Sequence, residues 1–184
     1  SSGCGQSTSV SAGWWIDQVV VASGWAESVP FITSTGITQP ANFGAIYSKS
    51  ELTGTIVADN SPTKVHYNLI TNGTPISGDL TSAPFELNID VSALGNQAAM
   101  LELQALDDNG VGSPMMQIPV FIFNLRGDVN GDRVVNTLDR DALIPLLGLK
   151  TTDAGFMPWA DADLSGRIDE ADLAAIGYFW GSAI

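Results

Sequence analysis

Asp128, Asn130, Asp132, Asn136 and Asp139 carry side-chain oxygens at positions 1, 3, 5, 9 and 12 of one twelve-residue stretch. Thirty-three residues further on, Asp161, Asp163, Ser165, Asp169 and Asp172 fall in the same slots. Position 7 is Val134 in the first copy and Arg167 in the second, where the main-chain carbonyl can serve whatever the side chain is. A hard cation such as calcium takes about six to eight oxygens from a flexible loop, and this spacing supplies them. Three carboxylates converge in the first stretch and four in the second. Left alone, their repulsion opposes folding; a divalent cation turns it into binding energy. Single Asp-rich turns are common, but two copies with matched ligands are not. The expectation is two calcium ions, one held by Asp128, Asn130, Asp132, the Val134 carbonyl, Asn136 and Asp139. The other is held by Asp161, Asp163, Ser165, the Arg167 carbonyl, Asp169 and Asp172.

Other chemistries find little support. One Cys excludes an internal disulfide framework and a Cys-rich zinc site, and one His excludes a multi-His metal site. That histidine, His66, alternates outward on a strand pattern beside Lys64 and Asn68, and reads as an exposed strand residue. Asp59 and Asp107-Asp108 lie in segments that read as ordinary turns, although a third cation could be imagined there. No nucleophile–base set, phosphate-binding loop or catalytic carboxylate pair stands out, so the chain reads as non-catalytic. The net charge of −13 repels phosphate, which disfavours nucleic acid and anionic membranes as partners. No apolar run reaches the ~20 residues of a membrane helix, so no membrane insertion is expected. Trp14, Trp15 and Trp25 have the chemistry to stack on sugar rings, but packing is the better use of aromatics.

The elements that must position the loops are legible too. After each loop an apolar stripe recurs at i, i+3, i+4: Leu143, Leu146 and Leu147, then Ile176, Phe179 and Trp180. This is the pattern of one helix per copy, the two stripes packing against each other. Two such units are one supersecondary element used twice. Pro145 should kink or shorten the first helix. Val135 and Ile168, at position 8, are expected to pair the two loops through a short strand.

Upstream, residues 35–124 alternate with period two. Phe85, Leu87, Ile89 and Val91 interleave with Glu86, Asn88 and Asp90, and the stretches 52–56, 64–69 and 101–105 behave alike. Turn signals separate them, Asn72-Gly73 being a hairpin signal because both residues tolerate positive φ. Short strands at this spacing predict an antiparallel sandwich. A last strand from about Met116 to Asn124 carries Phe121 and Phe123 on the face opposite Ile118, Val120 and Ile122. Those rings need a cover, and Asn124-Leu125-Arg126 leaves no room for a flexible linker, so the two modules should touch. Gly13–Val21 reads as one strand.

The run Gly127-Asp128-Val129-Asn130-Gly131-Asp132, the duplicated loop-and-helix unit and Asp at position 12 resemble a dockerin module over 126–184. The domains are therefore expected at 1–34, resembling the last strand of a truncated upstream β-sandwich, at 35–125, an immunoglobulin-like β-sandwich similar to modules of bacterial surface proteins, and at 126–184, the dockerin. The fold class is mainly β with a small α module. The resemblance implies a secreted or cell-surface protein that docks, through calcium-ordered helices, onto a cohesin module of a scaffoldin or surface protein. Polysaccharide would enter only through the parent protein. Two other readings stay open: a calcium-stabilised structural stalk, and a carbohydrate-binding fragment of a polysaccharide-degrading enzyme. This chain departs from the family pattern at position 6, where Gly166 fits but Arg133 replaces glycine, and in Thr137-Leu138 against Glu170-Ala171 after position 9. The two faces are unlike, so one preferred docking face is expected. Leu138, Ile144, Ala171 and Tyr178 are left facing outward as the partner-binding candidates. The competing expectation is that Tyr178 and Ile144 cover Phe121 and Phe123.

Overall fold

The computed structural model describes residues 30–38, 51–59 and 62–184. Gly13–Val21 and Trp14, Trp15 and Trp25 lie outside the described residues. Among the described residues seven strands form two antiparallel sheets: β1 (Phe31–Thr38), β2 (Glu51–Asp59), β3 (Lys64–Ile70), β4 (Ile76–Leu80), β5 (Phe85–Asp90), β6 (Gln97–Leu106) and β7 (Met116–Ile122). One sheet has the order β1-β2-β5 and the other β4-β3-β6-β7. The period-two pattern drives this arrangement. In β5 Phe85, Leu87 and Ile89 are buried while Glu86, Asn88 and Asp90 are exposed. Together with Leu52, Ile56, Val65, Leu69, Leu101, Leu103 and Val120 they fill the space between the sheets. Burying each such side chain contributes ~1.5–3 kcal/mol.

This is a mainly β chain with a small C-terminal α module. The fourth strand, β4, hydrogen-bonds to β3, whereas in constant-type immunoglobulin sandwiches the fourth strand joins the sheet of the first two. Asn72-Gly73 lies in the connection between β3 and β4. β1 starts at Phe31 and pairs with β2, ahead of the expected sandwich start at residue 35.

The α module contains α1 (Thr137–Leu143) and α2 (Glu170–Tyr178). Each begins at a capping box: Asn136 and Asp169 accept the first free amides, and Asp139 and Asp172 accept the cap residue's own N–H. As expected, α1 stops early. Pro145 cannot donate to the helix ladder, and the chain continues as a 3-10 turn over Ile144–Leu146.

Val135, Leu143, Ala160, Ile168 and Ile176 form the module's core, with Leu146 and Phe179 packed against it. Leu147 and Trp180 do not join the stripe and are exposed. Leu147 is already extended (φ −55°, ψ 130°), and Trp180 lies beyond the last turn of α2. The loops also do not pair with each other. Val135 exchanges hydrogen bonds with the 181–182 segment, and Ile168 with the 148–149 segment. Each loop is thus zipped to the tail of the other copy, which preserves the thirty-three-residue repeat in space.

The two modules touch, as the short junction requires. Phe121 meets Trp159 with ring centroids 6.2 Å apart. Trp159 Nε1 donates to Val129 O at 2.9 Å. Phe123 is buried, while Tyr178 and Ile144 are largely exposed.

Candidate metal centres and docking face

The first loop folds around Asp128. Its Oδ1 accepts from the Gly131 N–H at 2.8 Å and its Oδ2 from the Arg133 N–H at 3.1 Å. In the second loop Asp161 accepts from the Ser165 and Gly166 N–H groups at 3.0 and 2.8 Å. Such a bend requires left-handed backbone at positions 4 and 6 of both copies. Gly131 and Arg133 have φ of 79° and 75°, and Leu164 and Gly166 have 66° and 82°. Glycine adopts this region freely; Arg133 and Leu164 each bear a cost of about 1 kcal/mol.

Position 12 closes each loop. Asp139 accepts from the Val129, Asn130 and Asn136 N–H groups, and Asp172 from those of Asp163 and Asp169. All four carboxylates at positions 1 and 12 are buried.

The carboxylates converge. One oxygen each of Asp128, Asp132 and Asp139 lies within 4.8 Å of the others, and so do those of Asp161, Asp163 and Asp172. Bonds of ~2.3–2.6 Å place two oxygens on one calcium at most about 5 Å apart, so each trio fits a shared ion. Charge points the same way. Burial pushes the Asp128, Asp161 and Asp172 carboxyls above the usual carboxylate range, and neighbouring carboxylates push further. Backbone N–H donors offset only part of this. The sites are short of positive charge, which a divalent cation would supply.

The remaining expected ligands make hydrogen bonds within their own loops. Asn136 and Asp169 turn their Oδ1 atoms to the Leu138 and Ala171 amides, as helix caps. The Val134 carbonyl accepts from Asn136 Nδ2 and the Arg167 carbonyl from Ser165 Oγ. Asn130 bonds Asp132 through both its Oδ1 and its Nδ2.

Among the residues considered outside the loops, Asp107 closes an Asx turn on the Asn109 and Val111 amides. It reads as a turn residue, as expected. His66 Nδ1 lies 2.7 Å from Asp79 Oδ1, and Lys64 Nζ donates to Asp79 Oδ2 at 3.0 Å, on the open face of β3 and β4. Sequence reasoning missed Asp79; its signal was only its cross-strand register with His66.

On the outer side of the helices Leu138, Ile144 and Tyr178 are 57%, 51% and 83% exposed, and Ala171 is exposed as well. Tyr178 leans edge-on against Phe179 at 4.9 Å, and Phe179 carries the Arg126 guanidinium 5.5 Å from its ring centre.

Residues 126–177 match the family model of the dockerin type I domain. The matched segment contains both loops and nearly all of α2, which bears out the resemblance read from the duplicated motif. No curated protein matches the chain. Among solved structures, the chain is similar to one of fibronectin(III)-like modules of Clostridium thermocellum CbhA. That match has 21% identity, covers 42% of this chain and 81% of the other, and has a TM-score of 0.33, too low to bear on fold or function. Among the described residues no helix is long and apolar enough to cross a membrane.

Proposed function

We propose that the C-terminal module binds two calcium ions, one in 128–139 and one in 161–172, and docks in that form onto a cohesin module. The observation that carries this reading is the pair of converging carboxylate trios, each with its first and last members buried, inside a segment that matches the dockerin type I model. Asp128, Asp132 and Asp139 hold the first ion, and Asp161, Asp163 and Asp172 the second. Asn130, the Val134 carbonyl and Asn136, with Ser165, the Arg167 carbonyl and Asp169, complete the shells by small side-chain rotations or through water. Neutralised loops fix the start of each helix, and the helices present Leu138, Ile144, Ala171 and Tyr178 to the partner. Exposed apolar groups on a small acidic module favour an interface.

In this reading the domains divide near 125–126, the sandwich is a non-catalytic spacer, and the protein acts outside the cell, on a scaffoldin or a surface. Any polysaccharide activity belongs to the parent protein. The test is binding of the full chain to a panel of immobilised cohesins, with calcium and with EDTA. Capture that EDTA abolishes supports the reading. A chain that binds two calcium ions but no cohesin would favour a structural stalk instead.

A further inference from the structure

The two calcium loops have near-identical internal geometry but different surroundings. The second loop stands on the module's own residues. The first is pressed against the sandwich at the 91–96 turn between β5 and β6. Asn96 sits in that turn with only 3% of its surface exposed. Its Nδ2 donates to Leu125 O at 2.6 Å and to Asp128 O at 2.7 Å. Its Oδ1 accepts from the Asn124 and Leu125 N–H groups at 2.8 and 3.0 Å. One buried amide therefore satisfies four main-chain groups, two donors and two acceptors, across the junction.

The fit is close. A Cβ at Gly131 would lie 2.5 Å from Asn96 O, and a Cβ at Gly95 would lie 2.0 Å from Gly131 O. Both distances are below any real Cβ contact, so glycine is required on both sides. Arg133 adds a bond from its Nη1 to Ala93 O at 3.3 Å. The second loop has no counterpart to this among the described residues: Asp161 takes its hydrogen bonds from within its own loop.

We propose that the sandwich is part of the first calcium site: Asn96 is a positioning residue that orders the Asp128 end of that loop, so calcium affinity at the first site depends on the sandwich while the second site is autonomous. The inference rests on the calcium reading above. Its physical basis is preorganisation. Asn96 holds the Leu125 and Asp128 carbonyls from outside the loop, so the Asp128 end is ordered before the cation arrives. Losing a hydrogen-bond partner that orients a metal ligand typically weakens metal binding about 10–100-fold.

The experiment is a calcium titration of the full chain followed by NMR, reading the Gly131 amide for the first loop and the Gly166 amide for the second. Two variants are compared with the unmodified chain. Asn96→Ala removes the amide, and Gly95→Ala wedges the turn away from Gly131 without altering any loop residue. Amide protection in β3 and β6 monitors the sandwich. The expected result is at least a ~10-fold weaker first site in both variants, with the second site unchanged within about twofold. If Asn96→Ala fails to fold, Gly95→Ala alone decides. Equal affinities in the variant and the unmodified chain, or an equal loss at both loops, would overturn the proposal. Failure of the unmodified chain to bind calcium at either loop would instead overturn the calcium reading.

Discussion

Val135, in the first loop, is hydrogen-bonded to Ser182 near the far end of the chain, with the N–H of Val135 2.9 Å from the Ser182 carbonyl. Ile168 makes the equivalent bond to Leu149, also at 2.9 Å. The tail therefore belongs to the first loop rather than to α2, although the family match ends at residue 177. Deleting residues 182–184 removes the bonds to Val135 and from Ile184 to Arg133. At ~0.5–1.5 kcal/mol each, the expected loss is about 1–3 kcal/mol. Hydrogen exchange checks it: the Val135 amide should lose protection while Ile168 keeps its own. Unchanged protection at Val135 would show that the zipper is not what orders the loop.

Calcium removal should unfold the α module and spare the sandwich. At free calcium ~100-fold above Kd, each site adds ~2.7 kcal/mol, a large share of a small module's stability. The sandwich core, with Phe85, Leu87, Ile89, Leu101 and Leu103, contains no metal ligand. Melting in EDTA should therefore show an early transition of the α module, with β5 and β6 still protected from exchange. A single transition at the same temperature with and without EDTA would contradict this.

The pH dependence should reverse with calcium. Without the ion, Asp128, Asp161 and Asp172 have carboxyls raised above their ordinary 3.8, chiefly by burial. The native loops then hold protons more tightly than the unfolded chain. Stability of the ion-free module should rise as pH falls from neutral through the raised values, and level off below about 3.8. With calcium bound the charged forms are the ligands, so acid should destabilise. Melting curves from pH 7 to 4.5, in EDTA and in calcium, should slope in opposite directions.

Backbone strain at position 6 gives a pair of opposite substitutions. Arg133→Gly should raise stability by up to about 1 kcal/mol, since φ of 75° suits glycine, less the weak Arg133–Ala93 bond. Gly166→Ala should lower it by about the same amount, since φ there is 82°. Denaturant melts of the calcium-saturated chain would measure both. A neutral Arg133→Gly would place the value of that side chain in its sandwich contact.

The docking face can be tested without disturbing the loops. Tyr178→Ala and Ile144→Ala remove largely exposed side chains. Each is expected to weaken cohesin binding, Tyr178→Ala by about 2 kcal/mol or roughly 30-fold in Kd. Calcium affinity should not change. Unaltered cohesin affinity in both variants would move the interface elsewhere on the module.

Periodicity and ligand spacing carried most of this structure. Oxygen-bearing residues at fixed positions located both loops, because a cation's geometry demands that spacing. Alternation located β5 and β6, because one face of each is buried. What spacing cannot show is which partner satisfies a main-chain group. Val135 and Ile168 were expected to meet each other, and each instead meets the tail of the opposite copy. Leu147 and Trp180 continue a helical stripe on paper, but Pro145 and the end of α2 take them out of it. β4 was not anticipated, since Ile76-Ser77-Gly78-Asp79-Leu80 is short and has a glycine at its centre. Asn96 looks like any polar turn residue; its partners lie about thirty residues ahead and are all backbone.

The junction at Asn124-Leu125-Arg126 has a mechanical corollary. A flexible tether of n residues lets its cargo sample a volume whose radius grows as ~5–6 Å × √n. Here the connecting residues are hydrogen-bonded on both sides by Asn96, and n is effectively zero. The sandwich is thereby a lever arm rather than a leash: were the helices seated on a partner, as proposed, the far end of the sandwich would be held at a set angle. Neighbours on a shared scaffold would meet it at a defined orientation, not at the averaged effective concentration of a loose chain.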